Sequence, residues 1–277
     1  MNSINISDIH DILIKKINFF VEQAGISNTV IGISGGIDSA VVGALAVEAL
    51  GKEHVHGLLM PSDFSTLESV NDGVKLADNL GITYDVISIS SIYHKFIRSI
   101  EPIFNGDNSW DCTQENLQAR IRGTIIMAYS NRHKALVLNT SNKSVLSCGY
   151  GTLYGDLVGD LLVIADLYKT QVYELARYLN TYKEMIPLST IVKAPSAELR
   201  PGQKDSDSLP DYNIMDQILF KLNEENLSVS DIIKEGFDAD LVKEISKLRA
   251  GSSFKNAQLA PVIKIGKRPI FDKSKWI

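Results

Sequence analysis

Cysteine is nearly absent from this 277-residue chain: Cys112 and Cys148 are its two copies, too few for a disulfide framework and too far apart for a CxxC pair. The histidines do not join them in any cluster with zinc-like spacing. No apolar run approaches the roughly 18 residues that a spanning helix needs, and the N-terminus lacks the basic stretch and apolar core of a signal peptide. These absences give the expectation of a cytoplasmic chain with no membrane partner. Positive charge is not in excess either: 28 Lys and Arg face 33 Asp and Glu, a net charge of -5. No global field therefore draws the chain to nucleic acid. With no internal repeat, low-complexity tract or linker, residues 1–277 are expected to form one domain.

What is present is ample apolar material, 44% of residues, set out in alternating strand-like and helix-like segments. An opening helix has Ile9, Leu13, Ile17 and Phe20 on one face, with Ser7 as its expected N-cap and Gly25 as its stop. Residues 29–34 read as a buried strand and 40–50 as a buried helix closed by Gly51. A strand over 55–60, a helix over 70–80 closed by Gly81, and a strand over 82–89 repeat the pattern. A helix over about 114–129, a strand over 135–139 and a helix over 168–179 follow. Such alternation implies right-handed crossovers and parallel strands. The expected fold is α/β, a Rossmann-like three-layer α/β/α sandwich around a mostly parallel sheet. Two polar stretches, IFNGDNSWDC and ELRPGQKDSDSLPD, read as loops of the kind that close over a site.

The segment VIGISGGIDSAVV runs from the first strand into Ser34, Gly35 and Gly36, then places Asp38 and Ser39 at a helix start. Small residues there let backbone N–H groups converge where the helix dipole favours an anion. Phosphate is the natural occupant. The Walker A and Rossmann glycine patterns are both absent, so this is a different cradle.

SGGIDS resembles the pyrophosphate loop of the N-type ATP pyrophosphatases, which adenylate an acceptor. The further segments ENLQARIRGTIIMAYSN, TSNKS, GYGTLYGD, DLYKTQVYELARYL, PSAELRPGQ and FKNAQLAPVIK, in this order, resemble the NAD+ synthetases. The glutamine-dependent form carries an additional glutaminase domain, for which 277 residues leave no room. The resemblance is therefore to the ammonia-dependent form, a carbon–nitrogen ligase. It implies that ATP and Mg2+ drive amidation of deamido-NAD+ by ammonia through an adenylated intermediate, giving NAD+, AMP and pyrophosphate, in a homodimer.

Residue by residue, the resemblance implies that Gly32, Ile33, Ser34, Gly35, Gly36, Ile37, Asp38 and Ser39 bind ATP. It adds Met60, bordering the adenine, and Thr140, Lys169 and Ser196. Asp38 would be the catalytic Mg2+ ligand, and Arg120, Asp156 and Lys255 would bind deamido-NAD+. Arg120 and Arg122 point about 200° apart on a helix and need not share a ligand. Four departures stand out. Val145 occupies the position of the family's second-metal Glu, Asn139 replaces a Gly, LLVIADLYKT stands where the family has Asn-Pro-Ile-Gly before the DLYKT helix, and Lys255-Asn256 stands for Lys-Arg. Two other readings stay open. One is a weakly active or non-catalytic nucleotide-binding homologue. The other is an adenylating ligase for another carboxylate or a tRNA base, though the acidic balance and lack of paired cysteines weigh against tRNA. Lys143 is left outside the core set, Cys148 reads as a small buried hydrophobe, and the histidines read as structural.

Overall fold

The computed structural model describes residues 5–107 and 109–266. Helix α1 (Ile6–Ala24) starts two residues earlier than an N-cap at Ser7 would place it. Asn5 is its N-cap and its side chain accepts from the Ser7 N–H, so Ser7 sits inside the first turn. Ile9, Leu13, Ile17 and Val21 recur every four residues and form the buried face. The helix stops at Gly25, which takes the left-handed φ of 65°.

Strand β1 (Asn28–Gly32) leads to α2 (Ile37–Leu50), then β2 (Val55–Leu59), α3 (Leu67–Leu80) and β3 (Thr83–Val86). Helices α4 (Ser90–Ile100) and α5 (Cys112–His133) precede β4 (Ala135–Asn139), α6 (Lys143–Ser147), β5 (Leu161–Leu162) and α7 (Lys169–Leu179). Helix α5 is longer than its apolar spacing suggests: the reciprocal capping box of Asp111 and Gln114 starts it at Cys112, two residues before the expected start, and it runs on to His133. Among the described residues the sheet has five strands in the order β3-β2-β1-β4-β5, and every pairing is parallel. The expected α/β architecture is what forms.

Side chains alternate across the sheet as the pleat requires. Ile31, Leu59 and Leu138 enter the core shared with α1, α2, α3 and α7. Val30, Leu58 and Val137 enter the opposite core, shared with α4 and α5. Helix α2 lies among α1, α7 and the sheet, so its middle is buried on all sides from Ala40 to Ala46.

After α8 (Leu188–Val192) the chain builds a helical unit that the sequence reading did not resolve. It comprises α9 (Tyr212–Phe220), α10 (Val229–Lys234), α11 (Ala239–Gly251) and α12 (Ser253–Asn256). Its separate core of Met215, Ile218, Leu219, Ile232, Val242 and Ile245 includes Cys148 and Tyr168, which join it to α6 and α7. No helix is long and apolar enough to cross a membrane among the described residues.

Candidate active site

Strand β1 is the centre of the sheet. The chain winds from it through β2 and β3 on one side, then crosses back to β4 on the other. Ligands of open parallel sheets bind at the carboxyl ends of the strands flanking this reversal. Here those ends are Gly32 and Asn139, and two joined cavities open between them. One, of about 200 Å3, is lined by Ser34, Gly36, Asp38, Ser39 and Lys169. The other, of about 580 Å3, is lined by Gly32, Met60, Arg122 and Lys255. Thr140, Asp156, Ser196 and Glu198 form walls of both.

The loop before α2 is held by its own hydroxyls. Ser39 Oγ donates to the Gly36 carbonyl at 3.0 Å and accepts from the Ser34 N–H at 3.2 Å. Gly35 has φ +77°, and a Cβ there would fall 2.1 Å from the Ser69 carbonyl oxygen, so both conformation and space demand glycine. Gly36, the N-cap of α2, offers no side-chain acceptor. The positive end of this 14-residue helix therefore faces the narrow cavity uncapped by a side chain.

Asp38 does not cap α2. Its Oδ2 accepts from Lys169 Nζ at 2.5 Å and its Oδ1 from Asn142 Nδ2 at 3.0 Å. Burial pulls the Lys169 pKa down, but the charge and hydrogen bond of Asp38, together with Tyr173 and Asp205, outweigh it and the net result is raised. Lys169 is placed by a buried chain of contacts: its backbone N–H donates to Ser144 Oγ, which donates to Asp216, and Asp216 also accepts from the Thr170 N–H. Across the cavity stands Asp205, whose carboxyl pKa is raised by burial and which accepts from Tyr212 OH at 2.8 Å.

Asp38 fits a hard divalent cation shared with phosphate. It supplies one carboxylate, and substrate oxygens and water are the usual remainder for Mg2+. Among the described residues no three His, Cys, Asp or Glu side chains gather as a self-sufficient metal cage. Val145 lines the same cavity but packs its side chain with the core of the helical unit and with the apolar cluster around Leu162 and Val262. Of the carboxylates nearby in sequence, Asp160 turns away to accept from the Val137 N–H at 2.7 Å. Asp156 stays in the wall, its pKa raised by burial, and accepts from the Thr152 N–H.

The two arginines of α5 differ sharply. Arg120 is exposed, lines neither cavity and donates from Nε to the Leu153 carbonyl. Arg122 lines the wide cavity and donates from Nε to the Met60 carbonyl at 2.9 Å. Thus α5 places Arg122 in the wall, and Arg120 on the outer surface. Lys255 lines the wide cavity too, with its ammonium held by the Gly149 and Gly151 carbonyls at 2.8 and 2.7 Å. Asn139, at the end of β4, is buried and donates from Nδ2 to the Asp156 and Val158 carbonyls. Lys143, fully buried, pairs with Asp166 and Glu224 and anchors the helical unit.

Glu198 was not singled out from the sequence. It has a left-handed φ of +48°, and its carboxylate accepts from Thr66 Oγ1, the Thr66 N–H and Ser69 Oγ, 129 to 132 residues away in the chain. With the Gln118 amide on the Leu199 carbonyl and Arg200 on Glu115, it ties the 195–209 segment across the cavities from α3 to α5. Asn142 carried a local signal, since a polar residue at a strand end opening the short α6 is a natural N-cap.

A parallel sheet with a glycine loop running into an uncapped helix end at its switch point defines the class as an α/β protein whose strand ends suit an anion such as phosphate. The chain belongs to the NAD synthase family, which matches residues 9–259. It is 44% identical over 265 residues to a glutamine-dependent NAD(+) synthetase of Synechocystis, covering 96% of this chain and 47% of that protein. The chain thus spans about half the length of the curated relatives it matches. Among solved structures, an NH3-dependent NAD synthetase from Campylobacter jejuni is 31% identical, with a TM-score of 0.73 over 92% of this chain and 98% of that one. The NMN synthetase of Francisella tularensis is 28% identical, with a TM-score of 0.79 over 97% of this chain and 100% of that one.

Proposed function

We propose that the chain amidates deamido-NAD+ at the expense of ATP, as one domain over residues 1–277. A carboxylate resists ammonia because it is anionic and would have to expel oxide. Adenylation removes that obstacle: a carboxylate oxygen of the nicotinate attacks the ATP α-phosphorus, and pyrophosphate leaves. Ammonia then attacks the carbonyl carbon, the bond from that carbon to the bridging oxygen breaks, and AMP departs with the oxygen. The nitrogen sheds a proton to solvent, giving NAD+. Positioning and charge carry such a reaction.

The observation that carries this reading is the pairing of cavities: a narrow one at the α2 N-terminus sized for phosphates, joined to a wider one suited to two organic groups. In the proposal Gly32, Ile33, Ser34, Gly35, Gly36, Ile37, Asp38, Ser39, Met60, Thr140, Lys169 and Ser196 serve ATP. Asp38 is the catalytic carboxylate and would hold Mg2+ with the phosphates, which supplies charge neutralisation there. Asp156 and Lys255 serve the acceptor. Arg120, on the outer surface, serves it only if a second subunit of the proposed homodimer brings a dinucleotide to that face.

Ammonia is the proposed nucleophile. The likeness to the Campylobacter jejuni enzyme favours free ammonia, and the relatives named for glutamine favour delivery from it. The second acceptor reading is a mononucleotide, favoured by the likeness to the NMN synthetase. The test incubates the chain with ATP, Mg2+ and either deamido-NAD+ or nicotinate mononucleotide, with ammonium or glutamine as donor. Equal yields of AMP, pyrophosphate and NAD+ from ammonium are expected. Absence of AMP with every pair refutes adenylation.

A further inference from the structure

Helix α5 sinks a guanidinium into the wall of the wide cavity and leaves it without an ionic partner. Arg122 spends its Nε–H on the Met60 carbonyl, and among the described residues it forms no ion pair. The carboxylates that act on it are both engaged. Glu198 is held by Thr66 and Ser69, and Asp156 by Thr152. Burial pushes the Arg122 pKa down to about 10, against the raising influence of Glu198 and Asp156. It remains a cation at neutral pH. A desolvated cation with unused donors is costly unless a ligand completes it.

The shape of the group narrows the ligand. With Nε committed, the terminal N–H groups form a planar fork that matches two oxygens of a carboxylate or phosphate. The location narrows it further, because Glu198 and Asp156, its electrostatic neighbours, are also walls of the phosphate cavity. Arg122 itself lines the wide cavity, which shares the Asp156 and Glu198 walls with the narrow one.

We propose that Arg122 is the oxyanion-binding residue of the wide cavity, taking two oxygens of the acceptor carboxylate or of the ATP α-phosphate where the two substrates meet. This rests on the adenylation reading above and adds a binding residue to it. Arg122 thereby holds the reacting oxygens in register and offsets the negative charge that accumulates as carboxylate and phosphate approach.

The test compares the unsubstituted chain with Arg122→Met and Arg122→Lys by calorimetric titration. The probes are a non-hydrolysable ATP analogue with Mg2+, deamido-NAD+, and the neutral amide NAD+. Arg122→Met should weaken one anionic probe by about ten-fold or more, the scale of a lost charge-assisted bidentate contact. Arg122→Lys should recover part of that loss, because charge returns without the fork. A loss confined to deamido-NAD+, with NAD+ unaffected, assigns the carboxylate; a loss confined to the analogue assigns the α-phosphate. Unchanged affinity for both anionic probes overturns the proposal, as does an equal loss for NAD+ and deamido-NAD+. AMP formation by the unsubstituted chain is measured on the same preparation. No AMP with Arg122-dependent oxyanion binding refutes adenylation and keeps the site. AMP with Arg122-independent binding and turnover refutes the site alone.

Discussion

At the scale of single residues, Asp38 carries two duties that conflict in an alanine variant. It faces the proposed phosphates and also neutralises Lys169, which is 3% exposed. Asp38→Ala leaves that ammonium buried and unpaired, so stability should fall by roughly 1–3 kcal/mol along with activity. Asp38→Asn keeps the shape and a hydrogen-bond acceptor. It should retain more of the thermal midpoint while AMP formation drops by about 10²-fold or more. Undiminished AMP release from Asp38→Asn would remove Asp38 from the catalytic role. The cysteines give a second contrast. Burial pushes the Cys148 thiol up to about 12, so at pH 8 its thiolate is scarce, whereas Cys112 is exposed. Iodoacetamide at pH 8 should label Cys112 and spare Cys148 in the native chain, with both labelled in denaturant. Mass spectrometry of the labelled peptides decides.

At the scale of elements, local chemistry was legible where neighbours in sequence make the structure. The β1 loop and α2 could be read because glycines, an apolar strand and a helix start fall within 13 residues, 30–42. The arginine pair was legible only as a pair: spacing set the two apart on α5, but tertiary packing chose Arg122 for the cavity. Glu198 left no local trace, because its partners Thr66 and Ser69 meet it only after the 195–209 segment folds back. The helical unit after residue 211 escaped because α9, α10 and α12 are short and α11, capped by Asp238, buries only Val242 and Ile245 along its length.

The same segment carries a prediction of motion. Its ties are a few side-chain contacts: Glu198 to α3, Gln118 to Leu199 and Arg200 to Glu115. Amides of 199–209 should exchange faster than those of β1 in the free chain and slow when an ATP analogue and acceptor are both bound. Hydrogen exchange that is unchanged by both ligands would contradict closure. The companion segment 105–111 includes Asn108, which lies outside the described residues.

At the scale of the whole molecule, the sheet supplies the switch point, the helical unit positions Lys169 through Asp216, and Val145 lies where the two meet. Val145 is apolar, so a second cation there lacks the carboxylate that the resemblance to NAD+ synthetases implies. Val145→Glu should raise turnover and lower the Mg2+ concentration for half-maximal rate. It should also reduce stability by about 1 kcal/mol, because a half-buried methyl pair gives way to a carboxylate. Brisk turnover of the unsubstituted chain at low Mg2+, with no gain from Glu, would show that one cation suffices.

Adenylation of the acceptor carboxylate is tested most directly by following its oxygen. Deamido-NAD+ carrying 18O in the nicotinate carboxylate is incubated with the chain, ATP, Mg2+ and ammonium, and AMP is examined by mass spectrometry. Adenylation predicts one labelled oxygen in each AMP formed and none in pyrophosphate. Label in pyrophosphate or phosphate, or AMP released without label, would contradict it.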